Sequence, residues 1–387
     1  MEYDLVFEGG GAKGIAFVGA LQAFERHGHK PRRVIGTSAG SITACIIAAG
    51  YSAQEALETA IEETADGRAR FTTFMDTPTV YEDVIVKDQL GYWLRTELNN
   101  PSIPDLIEPM VDKLIESMVK VEMFRHLTSL LLWGGWYAGD EFIRWLQEKL
   151  NAGGRGLADT TLLEFHQKTG RDLSVVASDL SGREMLVLNH RTAPMLPTVW
   201  AVRMSMCFPF AWQEVIWKKE WGTYRGRSLE GNRVIDGGLL SNFPISFFVA
   251  SDENIDEIMG EGMQSEDVIG LLIDESLEVP GAGVPSAQSK GTPGILNQID
   301  LLEAMKLRIN GLTNTVLSAH DRAMLSAYND MICHLPAKGI GTLEFDMSPE
   351  RREAVRAAGE AAMEAFLASK IPARLLTGHG RPRPTES

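Results

Sequence analysis

The sequence is poor in cysteine: three in 387 residues, Cys45, Cys207 and Cys333, far apart and each in apolar surroundings. With no Cys-x-x-Cys pair and no Cys/His cluster, neither a disulfide framework nor a zinc site is expected. Positive charge is scarce too. Lys and Arg number 37 against 52 Asp and Glu, a net charge of −15, which argues against nucleic acid and against constitutive electrostatic attachment to an anionic membrane. No apolar run reaches the ~18 residues of a bilayer-spanning helix. The acidic start, Met1-Glu2-Tyr3-Asp4, leads straight into a strand pattern, so no signal peptide is expected. No internal repeat is visible. These absences predict a soluble chain in a reducing, cytoplasmic setting, with no metal and no cofactor.

What is present is glycine in telling places. Gly36-Thr37-Ser38-Ala39-Gly40 reads Gly-x-Ser-x-Gly. Arg33-Val34-Ile35 before it resembles a strand end, and Ser41 to Gly50 after it resembles a buried helix. A serine between glycines at such a junction describes a nucleophile elbow, with the hydroxyl projecting clear and a helix N-terminus aimed at the reacting atoms. A second glycine stretch, Glu8-Gly9-Gly10-Gly11-Ala12-Lys13-Gly14, follows the strand Asp4–Phe7 and precedes a helix through about Glu25. Gly9-x-Gly11-x-x-Gly14 fits a dinucleotide fingerprint, which also requires an acidic residue at the end of the next strand. That strand ends in Val34-Ile35-Gly36-Thr37 and delivers Ser38 instead. An oxyanion loop is therefore the better reading: N–H groups of Gly9, Gly10, Gly11 and Gly14 facing a developing negative charge. Lys13 either biases that loop toward anions or is a solvated lysine at a helix start.

The rest of the chain alternates strands with helices. Helices are expected over 52–65, 109–132, 140–150, 200–208, 296–317 and from Ser348-Pro349 onward; strands over 173–179, 184–189, 268–273 and 331–335. That alternation predicts an α/β fold with a mostly parallel central sheet covered on both faces. Residues 66–136 form a helical insertion, read as core packing ahead of the alternative, a lid over a lipid groove. Residues 276–294 are expected to be a mobile loop, and the tail 374–387 disordered. In 212–233, Trp212, Trp217, Trp221 and Tyr224 alternate with Lys218, Lys219, Arg225, Arg227 and Arg233. This pattern raises the hypothesis of an exposed hairpin in which Trp217 and Trp221 touch a lipid surface; rings packed on the domain are the alternative. Asp236-Gly237-Gly238 follows a strand and is either a turn or a carboxylate placed beside the elbow.

Taken together, four stretches resemble the patatin-like phospholipases: the loop Glu8 to Gly14, the elbow Gly36 to Gly40, Arg203 through Pro209 as Arg-x-Ser-x-x-x-Pro, and Asp236-Gly237-Gly238 with Asn242 and Pro244. They occur in the family's order, and Gly339 to Asp346 resembles its C-terminal end. Glu8 stands where the family usually has Asp. The resemblance implies a three-layer α/β/α sandwich, residues 1–373 as one catalytic domain, and an acyl-ester hydrolase acting on phospholipids or lysophospholipids, peripheral at the membrane when active.

Ser38 needs a base to act as a nucleophile. None of the eight histidines sits beside a glycine turn at a strand end; Asp236 does. The expectation is a Ser38–Asp236 dyad with an acyl-serine intermediate, and with Asp236 partly buried to strengthen it as a base. The alternatives are an α/β-hydrolase on soluble esters or thioesters with His320 or His334 as base, a dinucleotide-dependent oxidoreductase, and a non-catalytic lipid-binding regulator.

Overall fold

The structure is a computed structural model that describes residues 1–78, 122–250, 252–283, 326–342 and 344–376. In chain order it contains β1 (Glu2–Phe7), α1 (Ile15–Arg26), β2 (Lys30–Thr37), α2 (Ala39–Ala48) and α3 (Ala53–Ala60). Next come α4 (Glu122–Trp133), β3 (Gly135–Tyr137), α5 (Asp140–Asn151), α6 (Leu162–Thr169), β4 (Asp172–Asp179), β5 (Glu184–Leu188) and α7 (Thr198–Ser205). Five short strands follow: β6 (Phe210–Trp212), β7 (Val215–Ile216), β8 (Thr223–Tyr224), β9 (Arg227–Ser228) and β10 (Arg233–Asp236). The series ends with α8 (Ser246–Val249), α9 (Glu253–Met259), β11 (Val268–Glu278), β12 (Ile332–Lys338) and α10 (Pro349–Leu376).

Eight strands form one mixed sheet in the order β12-β11-β1-β2-β4-β10-β7, with β5 also on β4. The run from β12 to β4 is parallel; β5, β10 and β7 are antiparallel additions. Leu5 and Phe7 of β1 belong to one apolar cluster, with α1, α2, α5 and α7, while Val6 joins another with Phe248, Ile258 and Met259 of α8 and α9. Both faces of the strand are thus covered, which is why it reads as a continuous apolar run rather than an alternating one. The result is the expected α/β architecture, a mostly parallel sheet between helical layers.

Several helix boundaries follow local chemistry. Ser52 and Glu55 form a capping box that starts α3, and this helix ends at Ala60, short of the expected Ala65. Thr161 and Glu164 form another at α6, which closes on the left-handed Gly170. Strand β11 continues to Glu278, into the stretch expected to be a mobile loop. Helix α10 continues to Leu376, three residues into the expected tail. The helix expected over 296–317, the remainder of the 276–294 loop from 284 on, the middle of the 66–136 insertion (79–121) and residues 377–387 lie outside the described residues. The described ends of the insertion are packed: Phe71 and Phe74 lie against Trp145 at ring separations of 5.3 and 5.1 Å.

The aromatic and basic stretch 212–233 corrects the sequence reading. Trp217 and Trp221 are 1% and 3% exposed, with Trp212 and Tyr224 equally buried. Trp217 Nε1 donates to the Gly222 carbonyl at 3.1 Å, and the Lys218 ammonium lies 5.3 and 5.4 Å from the Trp200 and Trp221 rings. Arg225, Arg227 and Arg233 pair with Glu257, Glu184 and Glu214. The alternation therefore comes from cation–π and ion pairs inside the chain, and Trp217 and Trp221 are not available to a lipid surface.

Candidate active site

Strand β4 explains how the two candidate residues meet. Along 175–179, β5 occupies one edge of β4. The other edge is shared. Strand β2 runs parallel to β4 and ends with Thr37 opposite Val176; β10 runs antiparallel and ends with Asp236 opposite Ala177. The C-terminal ends of two strands thus run into each other at adjacent rungs. Ser38 follows Thr37, so the elbow and the aspartate are brought together.

The elbow itself is strained. Ser38 has φ 53° and ψ −124°, a conformation that costs a non-glycine residue about 1–3 kcal/mol and persists only where its surroundings enforce it. They do so by close contact: a Cβ on Gly40 would overlap the carbonyl oxygens of Phe7 and Glu8, and one on Gly36 would overlap Gly40. The Ser38 N–H donates to Ser205 Oγ at 2.9 Å, and Ser205 Oγ donates to the Val176 carbonyl at 2.6 Å. Val176 lies at the rung where β2 gives way to β10, so the hydroxyl uses a carbonyl at the break in the ladder.

Asp236 is buried, at 3% exposure. Its Oδ1 accepts the Gly238 N–H at 2.7 Å, while Oδ2 has no hydrogen-bond partner among the described residues. Burial pushes its pKa up to about 7; the nearby Ser38 hydroxyl and the Gly238 N–H pull the other way. The Ser38 hydroxyl is thus near enough to favour the charged carboxylate, although the two form no hydrogen bond of ordinary geometry. The Asp236 N–H is held by the Cys207 carbonyl at 2.9 Å.

The glycine loop lies against Ser38. A Cβ on Gly9 would sit 3.2 Å from Ser38 Cβ and overlap the Asn242 side chain. The Gly9 N–H is committed to the Asn242 carbonyl (3.1 Å), the Ala12 N–H to that of Thr342 (2.8 Å) and the Lys13 N–H to that of Gly10 (3.3 Å). Among the described residues, no acceptor is found for the N–H of Gly10 or Gly11. Gly14 packs on Ala39, Gly237 on Val176, and Gly238 beside Asn242 and Asp236. Lys13 is buried, and its ammonium donates to Glu275 and, at 3.1 Å, to Thr342 Oγ1. Its charge is answered within the chain, and it ties the loop to β11 and the C-terminal segment.

Sequence reasoning left roles unassigned to three residues. Ser205 lies in the Arg203-to-Pro209 stretch, where its spacing was visible but its bond to Ser38 was not. Asn242 Nδ2 donates to Glu8 Oε1 at 3.0 Å and to the Gly9 carbonyl at 3.1 Å, while Glu8 Oε2 accepts the Ile273 N–H at 2.6 Å. Glu8 and Asn242 therefore hold the glycine loop to β11 and to the Asp236 loop. Of the alternative bases, His334 lies on β12 at the far edge of the sheet, bonded to Asp274 (2.9 Å) and Asn329 (3.2 Å). His320 lies outside the described residues. Among the described residues no cluster of metal ligands occurs, and no helix is long and apolar enough to cross a membrane.

The family model described as patatin-like phospholipase matches residues 5–249. YqhO of Bacillus subtilis (strain 168), itself an uncharacterized protein, is 28% identical over 375 residues, covering 95% of this chain and 98% of its own. Among solved structures, VipD from Legionella pneumophila aligns with a TM-score of 0.46 at 19% identity, over 95% of this chain and 67% of VipD. The ExoU–SpcU complex from the type III secretion system of Pseudomonas aeruginosa aligns with a TM-score of 0.39 at 16% identity, over 96% of this chain. It covers 52% of the matched chain, so this protein spans about half that length.

Proposed function

We propose, from the premise that this chain belongs to the patatin-like phospholipase family and is a lipid acyl hydrolase, that Ser38 and Asp236 form its catalytic dyad and cleave fatty-acyl esters of phospholipids or lysophospholipids. The observation that carries this reading is Asp236: a buried carboxylate at the Ser38 elbow, with one oxygen unpartnered among the described residues and a pKa raised to about 7. A base poised near working pH is what proton transfer from a serine needs.

In this mechanism Asp236 takes the Ser38 proton as Oγ attacks the ester carbonyl. The oxyanion is received by the N–H groups of Gly10 and Gly11, which carry no other acceptor among the described residues. The leaving alcohol takes the proton from Asp236, and an acyl-serine remains. Asp236 then removes a proton from water as that water attacks the acyl-serine, and returns it to Ser38 Oγ as the fatty acid leaves. The steps use no metal or cofactor. The same reading treats residues 1–373 as one catalytic domain; the sheet draws strands from both ends of that range, and α10 packs on α1.

The test is incubation of wild-type and Ser38→Ala protein with mixed phospholipid vesicles, with free fatty acids and lysolipids quantified by mass spectrometry. Release by wild type alone is expected. Equal release by both proteins removes Ser38 from the chemistry.

A further inference from the structure

Three positions after Cys207, whose carbonyl accepts the Asp236 N–H, one residue breaks the backbone rules without being a nucleophile. Phe210 has φ +64°, a genuine outlier for a bulky side chain. The Phe208 carbonyl accepts the Ala211 N–H at 3.1 Å across Pro209-Phe210. That is a β-turn with proline second and Phe210 third, the position that glycine normally fills when φ is positive. The turn is fixed from both sides. Phe210 pairs with Gly135 in a two-strand ladder, and the segment leading to it binds both dyad residues: Ser205 Oγ accepts the Ser38 N–H, and the Cys207 carbonyl accepts the Asp236 N–H. Yet the Phe210 side chain is not anchored in the core; it is 45% exposed. Leu240, four residues beyond Asp236, is 43% exposed. A large apolar ring held in an unfavourable conformation and left half in water has no folding benefit to account for it, and such strain gathers at sites that bind or react.

We infer that Phe210 is a specificity residue: its ring, carried on the strained turn that continues the segment bonded to Ser38 and Asp236, packs on the acyl chain of the substrate. This inference rests on the dyad reading for its location, and its test is independent of turnover. The protein is placed in a Ser38→Ala background, alone and with Phe210→Gly or Phe210→Ala. Binding of fatty acids from butanoate to tetradecanoate is measured for each, together with Tm.

Both Phe210 variants should lose about tenfold in affinity for the long chains and little for butanoate, as for loss of one apolar contact in a pocket. Stability should separate the two. Gly tolerates a positive φ and Ala does not, so Phe210→Gly should melt above Phe210→Ala, the reverse of the usual order. Affinity loss that tracks Tm, an unchanged chain-length dependence, or a parent with no chain-length dependence each overturns the proposal. Loss of binding to phosphatidylcholine vesicles with chain-length dependence intact would place Phe210 at the membrane instead, and so overturns it too. Because no turnover is required, an inactive wild type that still binds long chains through Phe210 would sink the dyad alone.

Discussion

Two aspartates are buried in the same sheet and behave in opposite ways. Asp4, in β1, is fully buried and accepts bonds from Arg32 and Arg33, with nitrogen–oxygen distances of 2.5 to 3.0 Å. Burial alone would raise its pKa, but the two guanidinium groups outweigh it and hold the carboxyl below its usual value. Asp236, at the end of β10, is equally buried; among the described residues it has no cation, and its pKa rises to about 7. Burial therefore does not decide what a carboxylate is for. A paired carboxylate is fixed in charge and serves the fold, whereas an unpaired one is kept near neutrality and can exchange a proton.

The strongest way to break this contrast is Asp236→Asn. Loss of the general base should lower turnover on phospholipid vesicles roughly 10²- to 10⁴-fold; near-full activity would remove Asp236 as the base. The wild-type kcat/KM should fall about tenfold per pH unit below an apparent pKa near 7, because the protonated carboxyl cannot accept the Ser38 proton. The folded pKa lies above the ordinary value of 3.8, so the folded state holds the proton through that window and the contribution of Asp236 to stability declines as pH rises toward 7. At pH 8, Asp236→Asn should accordingly be more stable than wild type, by up to about 4 kcal/mol, as read by chemical denaturation. An inactive but destabilised variant would point to a structural role.

The Asp4 side of the comparison predicts stability effects only. Arg33 is buried, and its guanidinium also lies 4.6 Å from the Phe248 ring. Arg33→Met should cost about 3–5 kcal/mol, since it strips a buried charge of a partner. The loss should be greatest above the usual carboxylate range and fade as acid protonates Asp4, because a depressed folded pKa contributes stability only where the unfolded group would be ionised. Arg32 is 42% exposed, so Arg32→Met should cost no more than about 1 kcal/mol. Equal effects of the two substitutions in denaturation midpoints would show that the pairing is not what steadies Asp4.

Much of the site was legible because glycine and proline act through the backbone, which sequence constrains directly. Gly36 and Gly40 are required by contacts with backbone carbonyl oxygens that leave no room for a Cβ, and Gly9 by the Asn242 side chain, and a Gly-x-Ser-x-Gly after a short strand declares the elbow geometry in advance. Side-chain meaning was less legible. Trp217 and Trp221 looked like surface residues because basic neighbours alternate with them; they are buried because Lys218 and the nearby arginines find rings and carboxylates within the chain. Lys13 looked available to an anion, and is answered by Glu275, 262 positions away. Phe210 gave no sign at all, since nothing in the local sequence marks a phenylalanine in the glycine position of a turn.

The sequence by itself determined the alternation of strands and helices, the strained elbow at Ser38, the glycine loop after β1 and the candidacy of Asp236. Each of these depends on local periodicity or on which residues a tight turn admits. The tertiary structure alone decided that β2 and β10 approach from opposite directions along one edge of β4 and stop at Val176 and Ala177. That register sets Ser38 beside Asp236, and burial, with no cation paired to it among the described residues, raises the carboxylate's pKa to about 7. Strand pairing across about 200 residues and the absence of a counter-charge among the described residues are properties of the assembled sheet, and no local stretch of sequence contains them.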